Sequence, residues 1–148
     1  MIYLISLIVF LLDFSTKFLA MKALVPHEPV PVFPGFNLYL TFNRGVSFSM
    51  FSANSDMGVW ALIGLTGAIS ALIIYLIYKE TEKIARIGYA LVLGGAIGNL
   101  LDRLRFGAVV DFLDFYWDQY HWPAFNIADS AICIGAGLIL YQYVRSKK

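Results

Sequence analysis

The sequence is poor in the residues that most often staple a fold or build a metal centre. One cysteine, Cys133, occurs in 148 residues, so no internal disulfide is available, and its apolar surroundings make it a small packed hydrophobe before a nucleophile. The redox compartment therefore stays open. The two histidines, His27 and His121, lie far apart with no Cys or His at ligand spacing, so no metal is expected, and no motif asks for a cofactor. Charge is scarce too. Charged residues make up 14% of the chain and hydrophobic ones 59%, with a mean hydropathy of +0.71, whereas soluble domains carry roughly a quarter charged residues. This balance excludes a soluble domain. A formal net charge of +1 supplies no basic patch able to neutralise several phosphates, so no nucleic-acid partner is expected.

What the sequence has in abundance is long apolar runs. Residues 2–21, 57–78, 84–101 and 127–144 each approach the ~20 helical residues needed to cross a hydrocarbon core. The fold class is membrane α-helical with four spans, and residues 1–148 form one domain. The first run lacks a basic leader and carries Asp13 and Lys17, so it is expected to remain as a span and not to be a cleaved signal. Four spans put both termini on one side, shared by Lys79, Lys83 and Arg86 with Arg145, Lys147 and Lys148. That side is expected to be cytoplasmic.

Two irregular segments then share the opposite side. Residues 29–51 lose the helical pattern at their prolines and alternate: Phe36, Leu38, Leu40 and Phe42 against Asn37, Tyr39 and Thr41, then Val46, Phe48 and Met50 against Ser47 and Ser49. The pattern predicts a strand pair turning at Asn43-Arg44-Gly45, a small extracytoplasmic cradle that must sit at the membrane surface because open strand edges do not survive in lipid. Between the third and fourth spans, FLDFYWDQYHWPAF mixes aromatic and polar residues as an interfacial loop would. Within the spans, Ala90, Gly94 and Gly98, and Ala131 and Gly135, recur at four-residue intervals, which predicts close helix contact.

The few charges cluster in sequence. Asp13 and Lys17 share a face of the first span and read first as an intrahelical pair. Asn99, Asp102 and Arg103 present an amide, a carboxylate and a guanidinium near the end of the third. Asn126 and Asp129 open the fourth, where an N-cap explains them as well as chemistry does. Asp111 stands among Val109, Val110, Phe112 and Leu113, while Asp114 and Asp118 read as interfacial. If Asp111 met Asp129, burial and repulsion would let the two share one proton as paired aspartates do; pairing with Arg103 or Arg105 is an equal alternative. No Gly-x-Ser-x-Gly elbow and no phosphate-cradling glycine loop occurs. A small transporter using intramembrane acids is a rival, weakened by the lack of an inverted repeat and by the gathering of the acids at one surface. A non-catalytic assembly factor is another.

The motifs DFSTK (13–17), NRGVSF (43–48), GGAIGNLLDR (94–103), VVDF (109–112) and FNIAD (125–129), in this order, resemble those of the lipoprotein signal peptidases, the bacterial type II signal peptidases. The resemblance implies an aspartyl intramembrane endopeptidase of the inner membrane, catalytic at Asp111 and Asp129, with Asp13, Lys17, Asn43, Gly45, Asn99, Asp102, Arg103 and Asn126 binding substrate or supporting the pair. It implies diacylglyceryl-modified prolipoproteins as substrates, cut before the lipidated cysteine near the extracytoplasmic face, and membrane lipids as surroundings. It also implies sensitivity to globomycin-type inhibitors and action as a monomer. The commoner family form after Asn43 is Thr-Gly-Ala-Ala-Phe; here Arg44-Gly45-Val46-Ser47-Phe48 stands instead.

Overall fold

A computed structural model describes residues 1–45 and 56–147. Helices α1 (Ile2–Ala23), α2 (Asp56–Lys79), α3 (Lys83–Phe106) and α4 (Ile127–Arg145) are all long and apolar enough to cross a membrane. α3 runs one turn past the expected end of its span, so that Asp102, Arg103 and Arg105 still ride on helix. It stops at Gly107, whose φ of 65° is the left-handed conformation that favours glycine at a helix end. The chain then turns at once into a strand.

The bundle is apolar outside and partly polar inside. α1 buries Ser6, Val9, Asp13, Lys17 and Ala20, spaced three or four apart on one face, while Leu4, Leu7, Leu11, Leu12, Phe18 and Leu19 are exposed. Such a helix would be inverted in water; in lipid, outward leucines cost nothing and the polar stripe must face protein. α3 is the hub: half of its apolar window is buried, against 11% of the window of α2. The small residues expected at contacts are there. A Cβ added to Gly88 would lie 2.7 Å from the carbonyl oxygen of Gly135, and one added to Gly135 would lie 2.5 Å from that of Gly88. α3 and α4 thus touch backbone to backbone. Cys133 departs from expectation, since it lies on the exposed face of α4.

Strands β1 (Pro29–Phe33), β2 (Phe36–Asn43), β3 (Val109–Trp117) and β4 (Tyr120–His121) form one antiparallel sheet in that order. It sits where α1 ends and α4 begins. The sheet expected between the first two spans exists, and β1 and β2 meet at Pro34-Gly35, with Gly35 at φ 93°. The strand expected over Val46–Met50 lies outside the described residues. Pro29 and Pro31 end the helical pattern without forbidding a strand, because an edge strand tolerates missing N–H groups. The segment expected as an interfacial loop largely becomes β3 and β4. Val109, Val110, Asp111 and Phe112 are all buried, and a strand covered on both faces shows no alternation to read. The exposed aromatics Phe115, Trp117, Tyr120 and Trp122 follow, as an interface would require. Within β2 the expected alternation fails because the register with β3 slips between Leu38 and Thr41. This bulge is why Asn37 and Leu40, three apart, are both buried.

Replacing Gly88 by Val should force α3 and α4 apart and destabilise the protein by about 1–3 kcal/mol, read as a lower midpoint of thermal unfolding in detergent. Gly67→Ala, where an added Cβ meets nothing within 4 Å, should leave the midpoint level or slightly raised.

Candidate active site

The polar interior is concentrated at the sheet end of the bundle. Lys17, 2% exposed, places its ammonium 2.7 Å from Asp13 Oδ2, 2.8 Å from Asp102 Oδ2 and 2.9 Å from Asn99 Oδ1. The ammonium donates to Asn99 and stands in ion-pair contact with both carboxylates. The expected intrahelical Asp13–Lys17 pair is thus part of a wider cluster tying α1 to α3. Its carboxylates reach further. Asp13 Oδ1 accepts the Ala128 backbone N–H of α4 at 2.9 Å, and Asp102 Oδ2 accepts that of Val110 in β3 at 3.1 Å.

Three asparagines donate to Asp111 and Asp129, two of them, Asn99 and Asn126, linked to this cluster, and each has its direction imposed. The carbonyl of Asn99 faces Lys17, which can only donate, so its Nδ2 donates to Asp129 Oδ1 at 2.8 Å. The carbonyl of Asn126 accepts the Asp129 backbone N–H at 2.9 Å, so its Nδ2 donates to Asp111 Oδ1 at 2.7 Å. The carbonyl of Asn43 accepts the Gly45 N–H at 2.8 Å, so its Nδ2 donates to Asp111 Oδ2 at 3.0 Å. In every case a donor claims the oxygen and leaves the amino group aimed at an acid. Asn126 and Asp129 do form a capping box, with Asp129 Oδ2 accepting the Asn126 N–H at 3.3 Å. Cap and contact with Asp111 coexist in one side chain.

Asp111 is 1% exposed, and its carboxyl is pushed up to about 7, first by burial and then by the negative charge of Asp129. Neither arginine pairs with it among the described residues. Arg103 donates to the backbone carbonyl oxygen of Asn99 at 3.4 Å and lies within electrostatic range of Asp129, Asp111 and Asp102. Arg105 packs over the rings of Phe14 and Phe106 at 5.6 and 4.9 Å. Four acids and two cations therefore share a small volume, and a proton held between Asp111 and Asp129 lowers the excess of negative charge. A cavity of about 300 Å³ opens on Asp111, lined also by Thr41, Asn43, Arg44, Pro123 and Ala124. No group of side chains suited to holding a metal ion occurs among the described residues.

All ten residues singled out in the sequence converge on this end of the bundle. Asp114 is the exception among their neighbours. Expected at the interface, it is 4% exposed and is held by Asn37 Nδ2 at 2.9 Å and His121 Nδ1 at 2.9 Å. Sequence reading missed that cluster, since Asn37 becomes buried only through the β2 bulge, and His121 is joined to Asp114 by the β3–β4 hairpin.

Spanning helices with acids gathered beneath a sheet at one end define a multi-pass membrane protein with a polar site at one end of its bundle. The chain matches the family model described as Signal peptidase (SPase) II over residues 5–145. It is 46% identical over 142 residues to the lipoprotein signal peptidase of Polynucleobacter necessarius subsp. necessarius, covering 95% of this chain and 87% of that one. It is 42% identical over 145 residues to that of Pasteurella multocida, covering 97% and 88%. A solved bacterial membrane enzyme superposes with a TM-score of 0.86 at 28% identity, covering 98% of this chain and 88% of the other. The chain belongs to the signal peptidase II family, membrane proteases that remove signal peptides from lipoproteins.

Lys17→Met should leave two buried carboxylates facing an apolar side chain, at a cost of about 3–5 kcal/mol. A strongly depressed thermal midpoint in detergent checks this; an unchanged midpoint would mean that the cluster contributes nothing to the fold.

Proposed function

We propose that this protein is an aspartic endopeptidase of the bacterial inner membrane, cutting diacylglyceryl-modified prolipoproteins immediately before the lipidated cysteine. One observation carries the reading. Two carboxyls from separate elements, Asp111 of β3 and Asp129 of α4, are drawn to one place by Asn126, which caps the helix through one atom and holds Asp111 through another. Asp129 lies in the first turn of α4, where free backbone N–H groups and the helix dipole suit an anion. Asp111 carries the raised pKa of about 7, which suits a carboxyl that keeps its proton near neutrality.

In this mechanism Asp129 takes a proton from a water molecule as it attacks the scissile carbonyl. Asp111 donates a hydrogen bond to the carbonyl oxygen and stabilises the tetrahedral intermediate. The C–N bond breaks as the leaving nitrogen gains a proton, and no covalent enzyme intermediate forms. Asn43, Asn99 and Asn126 hold the two acids in register. Asp13, Lys17 and Asp102 hold Asn99, α4 and β3 in turn. Arg103 offsets the negative charge near the pair, and Gly45 keeps Asn43 turned toward Asp111.

The lipid anchor of the substrate places the bond at the membrane boundary, which is where the cluster lies. The basic residues Lys79, Lys83, Arg86, Arg145 and Lys147 mark the opposite end of the bundle as cytoplasmic, with both termini there. The site then opens on the extracytoplasmic face. The enzyme acts as a monomer among membrane lipids, and a globomycin-type inhibitor occupies the site in place of substrate.

Asp111→Asn and Asp129→Asn should each lower cleavage of a lipidated precursor by at least about a thousandfold while leaving the thermal midpoint near that of the parent; turnover within tenfold of the parent in both would overturn the assignment. Activity should also depend on pH in a defined sense. Asp111 is neutral below its raised pKa and ionises above it, so the rate should fall as pH rises through about 7, with apparent values belonging to the pair. A rate that climbs steadily through that range would contradict a protonated partner.

A further inference from the structure

A second cavity adjoins the one on Asp111. Of about 440 Å³, it is lined by Tyr39, Asp114, His121 and Trp122, and it shares Pro123 and Ala124 with the cavity on Asp111. The shared segment makes the two neighbours. Among the described residues its walls come from the sheet and the residues that follow β4. Its size lies in the range of ligand sites.

A hydrogen-bonded polar group lines this cavity. Asp114 is buried, and its carboxylate takes Asn37 Nδ2 on one oxygen and His121 Nδ1 across both, at 2.9 and 3.0 Å. A carboxylate on Nδ1 makes that nitrogen the donor, so in the neutral ring Nε2 is the acceptor. Tyr116 stacks on the imidazole at 5.2 Å and 20°, fixing its plane. The side chain remains 52% exposed, and among the described residues Nε2 has no partner. An oriented imidazole thus offers an unused acceptor beside the site.

We propose that this cavity binds the stretch of substrate that follows the scissile bond, an extended peptide whose backbone N–H or hydroxyl donates to His121 Nε2. The assignment rests on the peptidase reading. The two sides of the cut have different chemistry: the signal segment is apolar and belongs with the helices, whereas the chain beyond the cysteine is bound for water. The cavities divide in the same way. On the α1 side, a space of about 210 Å³ is lined by Leu19, Ala20, Ala23, Leu24, Leu38 and Phe112, with Thr16 the one polar residue; the imidazole, phenol and carboxylate lie on the other. A polar peptide leaving Asp111 across Pro123 and Ala124 meets His121 next.

The test uses the full chain carrying Asp129→Asn, so that binding is read without turnover. Two diacylglyceryl-modified precursors are compared, one ending at the lipidated cysteine and one continuing about six residues, or about 20 Å of extended chain. The longer should bind about tenfold more tightly, and His121→Ala should bring the two affinities within about twofold. A photoreactive group on the residue after the cysteine should label Tyr39 or the 121–124 segment, read by mass spectrometry without any change at His121. Equal affinities with His121 intact, or labelling elsewhere, would overturn the subsite. Cleavage of the longer precursor by the unsubstituted chain tests the peptidase reading separately, and its failure would leave these affinities unchanged.

Discussion

The structure depends on one ammonium kept out of water. Lys17 is buried in the bundle, paired with the carboxylates of Asp13 and Asp102 and donating to Asn99. Taking a cation out of solvent is unfavourable by several kcal/mol unless its partners are close and well aimed, and here they come from two helices. Each partner then commits a further element: Asp13 holds the start of α4, Asp102 holds β3, and Asn99 holds Asp129. One charge thereby fixes α1, α3, α4 and the sheet relative to one another, close to the two acids proposed to react.

This works because the surroundings are apolar. In water, an ion cluster and three asparagine amides would be worth little, since solvent competes for every donor. Inside the bundle each polar atom has few alternatives, and leaving one unmade is costly. The amide directions are therefore strongly determined. Lys17, the Asp129 N–H and the Gly45 N–H each claim one asparagine oxygen, so all three amino groups turn toward acids. Asp111 and Asp129 are held by donors whose orientation does not depend on the substrate, which is the condition for stabilising charge without reorganisation during reaction.

The contrast between Asp111 and Asp114 shows how surroundings divide one residue type between two tasks. Both are buried acids of β3, three residues apart. Among the described residues Asp111 accepts only amide donors, and burial, then the charge of Asp129, raises its pKa. Asp114 has Asn37 and an imidazole, a setting that orients a neighbour. The run VVDFLDF sets Asp111 apart but does not show that Asp114 is buried, because that follows from which strand and hairpin pack alongside.

The four spans were legible in the sequence because lipid imposes a length and a composition that local residues satisfy by themselves. The small-residue contacts of α3 and α4 were legible for the same reason, and the capping box of Asn126 with Asp129 because it is local to one helix turn. The motifs named all ten residues that converge on the site. The sheet was only half visible: Pro29 and Pro31 concealed an edge strand, the buried run of β3 showed no alternation, and the bulge that buries Asn37 is a matter of register between strands 70 residues apart in sequence. Whether Asp111 would meet Asp129 or an arginine was likewise open, since spacing cannot bring two elements together. Composition and periodicity determined that this chain crosses a membrane and where its spans lie. Only tertiary packing decided which acids face each other, because hydrogen-bond direction and burial are properties of the assembled bundle and of no single segment.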